Sequence, residues 1–320
     1  MQRHATLWWP LALGLACWAL APALPTGRVW AQAAAALMWS APPVCALVQA
    51  VWALGLALRR RAAAPLLGLC ALPLVGLPWA GEEPAPVGAL RVAVLNVNAF
   101  SPSPPEGVQA QLAALELDVL VLVEHRLGAV PGLVRAADNL DQPLPRPSYG
   151  TTVWCRGACR AWVSPLVGSD RQRMPLAVVD LPSVGACLLG VHAPPPAPLD
   201  ASGIEPYTRW LADFIEGGRL VRALGPCRAG AGVVVAGDLN HVPGSAPHRR
   251  LVGRGLRDLL WGRGLFAASW PAGGGFPALP LLRLDHVLVG AVGAGAPVRV
   301  DLEGSDHRGF VVELWPNPPR

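Results

Sequence analysis

Lysine is missing from this sequence, and acidic residues are missing from its first quarter. All 26 basic residues of the 320-residue chain are arginine, and the first acidic residue is Glu82. Residues 1–81 carry five arginines and no acid, which accounts for the whole formal net charge of +5. From residue 82 onward, 21 arginines balance 21 acidic residues. This second part therefore lacks the cationic excess with which nonspecific nucleic-acid binders neutralise phosphates.

Charge of either sign is scarce, since charged residues make up 15% of the chain and hydrophobic residues 52%. This composition excludes a disordered chain and is too apolar for a single soluble globule. Three apolar runs, at about residues 5–24, 30–58 and 62–80, account for the excess. A run of about 20 residues crosses a hydrocarbon core of ~30 Å. We therefore predict a membrane anchor of about three transmembrane helices over residues 1–81, in contact with the lipid bilayer through residues 5–80.

The arginines of this first part indicate an orientation. Arg59, Arg60 and Arg61 lie between the second and third runs, and the positive-inside rule keeps such a loop cytoplasmic. The third run then carries the chain outward, which predicts an extracytoplasmic domain at a bacterial inner membrane. If the third run does not span, the domain is cytoplasmic. The alternative to an anchor is a signal peptide followed by buried core helices, although soluble helices have a polar face that these runs lack.

Four cysteines lie in the second part of the chain. Cys155 and Cys159 could bridge a tight hairpin turn, which would leave Cys187 and Cys227 as a second pair. An even number suits an oxidising compartment, and four free thiols are the alternative.

A linker over residues 82–89 precedes short apolar runs that alternate with segments of helical spacing. The pattern predicts a single two-sheet α/β domain over residues 90–320, with a hairpin around the turn that contains the first cysteine pair. Strands are predicted at Leu90–Asn96, Val119–Val123, Thr151–Trp154, Ala161–Val163, Val178–Leu181, Ala186–Val191, Val233–Ala236, Val287–Val289 and Phe310–Leu314. Helices are predicted at Glu106–Leu115, Pro206–Leu224 and Ala246–Leu251.

Polar side chains cluster where these predicted strands begin or end. They are Asn96, Asn98, Glu124, His192, Asp238, Asn240, Asp285, Asp306 and His307. Strand ends from distant segments can meet at one edge of a sheet. Oxygen ligands for a hard cation, a base and a cation near the leaving group would there form a metal-assisted phosphoryl-transfer site. Each residue alone also has a structural explanation, as a capping carboxylate, a buried histidine or an Asx turn.

The order and wording of six motifs favour the catalytic interpretation. The motifs are Val-Leu-Asn-Val-Asn (94–98), Asp-Val-Leu-Val-Leu-Val-Glu (118–124), Val-His-Ala-Pro (191–194), Gly-Asp-Leu-Asn (237–240), Leu-Asp-His-Val (284–287) and Ser-Asp-His-Arg (305–308). In this order they resemble the endonuclease/exonuclease/phosphatase superfamily, also called DNase-I-like, over about residues 90–315. The chain is similar in particular to bacterial members with a membrane-spanning N-terminal segment. The resemblance implies a four-layer α/β/β/α sandwich, with two sheets face to face, helices outside and the active site in a cleft at one edge.

The resemblance also implies a divalent cation, Mg²⁺ or alternatively Mn²⁺. Glu124 is then the expected principal ligand. Asn96 and Asn98 are expected to complete or support the site, and Asp306 to lie beside the metal. Some relatives have Asp where Asn98 stands, and an amide supplies less charge to a metal.

The remaining residues have catalytic roles under this resemblance. Asp238 is expected to orient or deprotonate the attacking water, and Asn240 to hold that water and a phosphate oxygen. His307, braced by Asp285, is expected to donate a hydrogen bond or a proton to the phosphoryl group. His192 is expected to bind phosphate or to protonate the leaving oxygen.

Many relatives pair the residue that matches His192 with a glutamate from the preceding hairpin region. This chain has no glutamate between Glu124 and Glu205. Four aspartates could substitute: Asp138, Asp141, Asp170 and Asp180. Four further residues lie next to the motif residues and are interpreted as rim or surface positions: His125, Arg126, His241 and His286.

These observations predict a membrane-anchored, divalent-metal-dependent hydrolase of phosphate esters, either a phosphodiesterase or a phosphatase. The tether favours a substrate near the bilayer, although it could serve localisation alone. A nuclease acting on DNA or RNA is one alternative, which the neutral charge of residues 82–320 does not favour. The other is a catalytically silent envelope-binding protein that retains the fold.

Overall fold

The computed structural model describes most of the chain from residue 84 onward. The described ranges are 84–98, 105–125, 127–140, 150–163, 174–194, 231–261, 267–272 and 282–317, with single residues at 209, 211, 227, 263 and 280. The three predicted membrane runs lie outside these ranges, as does the predicted helix Pro206–Leu224 apart from Arg209 and Leu211. Within the described ranges, no helix is both long enough and apolar enough to cross a bilayer.

Strands dominate the described residues. They are β1 (Leu90–Asn96), β2 (Val119–Val123), β3 (Val134–Asp138), β4 (Thr151–Cys155), β5 (Arg160–Val163), β6 (Leu176–Leu181), β7 (Ala186–His192), β8 (Gly232–Asp238), β9 (Arg257–Asp258), β10 (Asp285–Gly290), β11 (Gly293–Ala294), β12 (Val298–Asp301) and β13 (Arg308–Trp315). The helices are α1 (Pro105–Ala114) and α2 (Ala246–Val252). Every predicted strand is therefore present, and the two predicted helices within the described ranges are confirmed.

The strands form two mixed sheets. The first has the order β11-β13-β1-β2-β4-β3, with β12 also paired to β13. The second has the order β5-β6-β7-β8-β10-β9. In each sheet one parallel pair lies near the centre, β1 with β2 and β7 with β8, and the other pairs are antiparallel. Central strands that are buried on both faces need apolar side chains throughout, which is why these strands read as continuous apolar runs.

The two sheets pack face to face because alternate residues of each strand point to opposite sides. From β2, Val119, Val121 and Val123 point into the core between the sheets. Leu120 and Leu122 point to the other face, where they pack with side chains of α1. The outer face of the second sheet packs in the same way against residues that include one leucine of α2. Two mixed sheets with few helices are consistent with the predicted DNase-I-like α/β fold.

The predicted hairpin around the first cysteine pair is wrong. β4 lies between β2 and β3 in the first sheet, so neither of its edges is open to β5. β5 instead pairs with β6 in the second sheet. The Cys155–Cys159 disulfide therefore spans the point where the chain crosses from one sheet to the other. The second predicted pair, Cys187–Cys227, is also bonded.

Gly237 allows the close approach of two strands just before Asp238. Its φ of +123° lies where side chains are rarely tolerated. A Cβ at this position would lie 2.2 Å from the backbone oxygen of Val191 on the neighbouring strand. Only glycine therefore fits here without moving β7 away from β8.

We expect Gly237→Ala to lower the free energy of unfolding by more than about 2 kcal/mol, through backbone strain and this contact. The measurement is urea denaturation of the full-length chain. Gly157→Ala is the matched control, because a Cβ there would meet nothing within 4 Å. Equal stability of the two variants would contradict the close approach.

Candidate active site

The ends of six strands bring the predicted polar residues to one edge of both sheets. Asn96 ends β1 and Glu124 follows β2 in the first sheet. In the second sheet, the register places His192 and Asp285 on either side of Asp238. Pairing between neighbouring strands thus fixes three of the predicted catalytic residues side by side.

Asp238 is the centre of this group and is buried. One of its carboxylate oxygens, Oδ1, accepts a hydrogen bond from the backbone N–H of Asn240 at 2.9 Å. The other, Oδ2, accepts from Nδ2 of Asn96 at 3.3 Å and faces Nε2 of His307 at 3.6 Å and Nε2 of His192 at 4.0 Å. Burial raises the pKa of Asp238 to about 6, although the two histidines act to lower it.

His307 lies between two carboxylates. Its Nδ1 lies 2.8 Å from Oδ2 of Asp285. Its other ring nitrogen, Nε2, faces Oδ2 of Asp238. Burial would lower the pKa of His307, but the charges of Asp285 and Asp238 outweigh burial and raise it to about 10. His307 is therefore an imidazolium at neutral pH, with its N–H groups held in fixed directions.

Glu124 and His192 form the other close pair, with 2.9 Å between Oε1 and Nε2. Burial would raise the pKa of Glu124, but the hydrogen bond and charge of His192 lower it. Burial likewise would lower the pKa of His192, but the hydrogen bond and charge of Glu124 raise it.

The partner of His192 was predicted among four aspartates, and this prediction is wrong for the two that are described. Asp138 pairs with Arg135 at 3.3 Å, and Asp180 faces Arg160 at 3.8 Å. The other two candidates, Asp141 and Asp170, lie outside the described residues. The carboxylate in close contact with His192 is instead that of Glu124, which was predicted only as a metal ligand.

The last three predicted residues lie around this centre. The side chain of Asn240 donates to the carbonyl of Ala193 at 2.7 Å. The backbone N–H of Asn98 donates to Oδ1 of Asn96 at 3.0 Å. Asp306 lies at the periphery, where Oδ2 accepts from the indole N–H of Trp270 at 3.4 Å. Its charge still contributes to the raised pKa of His307.

Two serines connect these loops and were not predicted as functional. The hydroxyl of Ser305 donates to the carbonyl of Asn96 at 2.8 Å and accepts from the backbone N–H of His307 at 3.0 Å. The hydroxyl of Ser269 accepts from the backbone N–H groups of Leu284 and Asp285. Ser305 begins the motif Ser-Asp-His-Arg (305–308), which was the available signal for it, whereas Ser269 lies outside all six motifs.

The interpretation of His125, His241 and His286 as rim or surface residues is wrong, because all three are buried. Nε2 of His286 lies 2.8 Å from the carbonyl oxygen of His241 and can only donate to it. Arg126 lies outside the described residues.

A family model for the endonuclease/exonuclease/phosphatase family matches residues 93–307, about two thirds of the chain. The chain belongs to this family. Members of the family are phosphoester hydrolases. No protein with a curated description matches the sequence.

Three solved structures are among those similar to this chain. The human Nocturnin catalytic domain is 14% identical, with a TM-score of 0.52, and the match covers 72% of this chain and 96% of that one. A humanised D. rerio TDP2 is 16% identical, with a TM-score of 0.50 and coverage of 70% and 98%. An endonuclease/exonuclease/phosphatase from Beutenbergia cavernae is 22% identical, with a TM-score of 0.47 and coverage of 71% and 72%. At these identities the likeness concerns the fold alone.

The site of this family member suits a hard divalent cation. Four carboxylates, those of Glu124, Asp238, Asp285 and Asp306, lie around two imidazoles. Even with both histidines protonated, this set has an excess of negative charge. Buried charges need a partner, and carboxylate and amide oxygens are the ligands that Mg²⁺ prefers.

A second cluster, made of His248, Asp258, His286 and Arg283, lies outside this site. One ligand atom each from His248, Asp258 and His286 lies within 4.8 Å of the others, which would suit a metal. However, Oδ2 of Asp258 already accepts from Nε2 of His248 at 2.8 Å and from the guanidinium of Arg283. Because Nδ1 of His248 accepts from the backbone N–H of Gly244, its Nε2 keeps the proton. The cluster is therefore a buried ion pair rather than a cation site.

This ion pair makes stability depend on acid pH. Burial would raise the pKa of Asp258, but Arg283 and His248 outweigh burial and hold it below the unfolded value of about 4. The contribution to stability is therefore present above about pH 4 and is lost as the pH falls toward the folded pKa.

We expect Asp258→Asn to cost about 3–5 kcal/mol at pH 7, because it leaves a buried guanidinium unpaired. The variant should also lose less stability than the wild type between about pH 5 and pH 2. Urea denaturation across this range measures both effects. Asp301→Asn is the control, since Asp301 pairs with Arg299 and Arg308 but is half exposed, and it should cost less than about 1 kcal/mol. A parallel pH dependence of wild type and Asp258→Asn would contradict this account.

Proposed function

We propose that this protein is a membrane-anchored, Mg²⁺-dependent hydrolase of phosphate esters, acting as a phosphodiesterase or a phosphatase, with Mn²⁺ as the alternative metal. One observation carries the proposal. A single buried carboxylate, that of Asp238, is shared by an amide from the first sheet and two imidazoles whose pKa values are raised. Titratable groups with perturbed pKa values gathered at one edge are typical of a catalytic centre.

Glu124 would hold the metal, with Asn96, Asn98 and Asp306 completing or supporting the site. When bound, the metal would polarise a phosphoryl oxygen and offset its negative charge. Glu124 suits this role because its side chain is 19% exposed and its neighbour Asn96 is fixed by Asp238.

Asp238 and Asn240 would act on the attacking water. With a pKa of about 6, Asp238 is largely ionised at neutral pH and can accept a proton. Asn240 is held by its contacts with Asp238 and Ala193, so its side chain occupies a fixed position beside that carboxylate.

The two imidazoles would act on the phosphate. Asp285 fixes Nδ1 of His307, which leaves the Nε2–H available to a phosphoryl oxygen. His192, with its pKa raised by Glu124, would bind phosphate or protonate the leaving oxygen. Such fixed charges stabilise the transition state without reorganisation.

We expect the full-length chain in detergent to hydrolyse bis-p-nitrophenyl phosphate or p-nitrophenyl phosphate with Mg²⁺, and EDTA to abolish turnover. Asp238→Asn and His307→Asn should each lower kcat by about 10²–10⁴-fold, because a base or a phosphoryl donor is lost. Asp301→Asn, on an exposed strand, should retain full activity. The proposal would be contradicted if EDTA left turnover unchanged, or if Asp238→Asn and His307→Asn both left it unchanged. Cleavage of plasmid DNA in preference to both esters would favour the alternative that the protein is a nuclease. No turnover on any substrate would favour the alternative that it is a catalytically silent binding protein.

We also propose that the domain is extracytoplasmic, held at the bilayer by residues 5–80. Two disulfides, Cys155–Cys159 and Cys187–Cys227, support an oxidising compartment. The arginines at positions 59–61 support the same orientation.

A reporter fused after Ala80 tests this placement. An alkaline phosphatase reporter, which is active only outside the cytoplasm, should be active, and a fluorescent reporter that folds only in the cytoplasm should be dark. The reverse pattern would place the domain in the cytoplasm.

A further inference from the structure

Glu124 has a backbone conformation that non-glycine residues rarely adopt. Its φ of +51° lies in the left-handed region, at the point where β2 ends. Such a conformation costs about 1–3 kcal/mol and persists only when the surrounding structure fixes it. The residue that follows Glu124 supplies such a constraint.

His125 is buried and both of its ring nitrogens are engaged. Nδ1 accepts from the backbone N–H of Leu127 at 3.1 Å. Because an amide N–H can only donate, Nδ1 is unprotonated and the neutral ring carries its proton on Nε2. That nitrogen lies 2.8 Å from Oγ1 of Thr152, to which it donates. The imidazole has one tautomer and two partners.

These two partners belong to different parts of the fold. Leu127 lies shortly after the end of β2, and Thr152 lies in β4, opposite Leu122 of β2. The ring therefore connects the segment that follows β2 to the neighbouring strand β4.

We propose that His125 is a positioning residue that holds Glu124 in its left-handed conformation, and so directs the Glu124 carboxylate toward His192 and the metal. His125 acts through the backbone that follows β2, since its hydrogen bonds end on Leu127 and Thr152. The metal part of this inference rests on the proposed function. The part that concerns the contact between Glu124 and His192 does not.

Three variants separate the two bonds. His125→Phe keeps a planar ring but loses both. His125→Asn keeps an acceptor near Nδ1 for Leu127 and loses the bond to Thr152. Thr152→Val removes only the acceptor of Nε2. His248→Phe is the matched control, because it removes another buried, hydrogen-bonded imidazole at a distance from Glu124 in the sequence and the sheet order.

The first measurement is Mg²⁺ binding to the full-length chain by calorimetry, together with kcat and KM. We expect His125→Phe to weaken Mg²⁺ binding by about 10–100-fold, as loss of a group that orients a metal ligand does. It should lower kcat more than it raises KM, and His125→Asn should recover part of the loss. His248→Phe should lower the Tm and leave Mg²⁺ binding unchanged.

The second measurement needs no metal. In crystal structures of the metal-free variants, we expect the 2.9 Å contact between Glu124 and His192 to be broken in His125→Phe and kept in His248→Phe. If His125→Phe does not fold, His125→Asn and Thr152→Val take its place, each with a smaller displacement. If the wild-type protein neither bound Mg²⁺ nor showed turnover, the proposed function would be contradicted. The metal-free crystal structures would still decide whether His125 positions Glu124. An unmoved Glu124 carboxylate in the variants, or a loss of Tm alone as in the control, would overturn the inference.

Discussion

The rest of the site depends on one constraint, which is that the buried carboxylate of Asp238 needs partners. A carboxylate removed from water is costly unless hydrogen bonds and opposite charges replace its hydration. Here those partners come from both sheets: Asn96 at the end of β1 and His307 just before β13 in the first, and His192 at the end of β7 in the second. The arrangement that stabilises this charge also places an amide, an acceptor and two imidazoles around the same point. Folding and the assembly of the candidate site are therefore one event.

Charge is distributed differently in the group around Asp238 and in the second cluster around Asp258. In the second cluster, Asp258 and Arg283 balance each other, and burial and neighbouring positive charge lower the pKa values of His286 and of the adjacent His241. At the strand ends, four carboxylates outnumber two imidazoles, so the negative charge of this group exceeds its positive charge among the described residues that form it. The first arrangement stabilises the fold. The second is suited to a ligand that brings positive charge.

The sequence predicted the buried framework well, because strands with both faces covered are continuous apolar runs, as in β2. It did not predict β3 or β12, whose residues are largely exposed and follow no such pattern. Which strands pair was harder to predict than where the strands lie, because periodicity does not indicate which neighbouring strand a given strand joins. The sequence therefore assigned β5 to the wrong partner strand. The motifs identified the residues around Asp238, but not that Glu124 contacts His192. Sixty-eight positions separate these two residues, and only the packing of the two sheets brings them together.

The pairing of the first and last strands has a consequence for access to the site. Leu90 lies opposite Leu314, so the domain begins and ends at the same end of the first sheet. β1 runs from there to Asn96 over seven residues, about 20 Å at the rise of an extended strand. Whatever precedes Leu90 thus joins the domain at the end remote from Asn96 and Asp238. Under the proposed anchoring through residues 5–80, the point of attachment and the candidate active site would therefore lie at opposite ends of the same sheet.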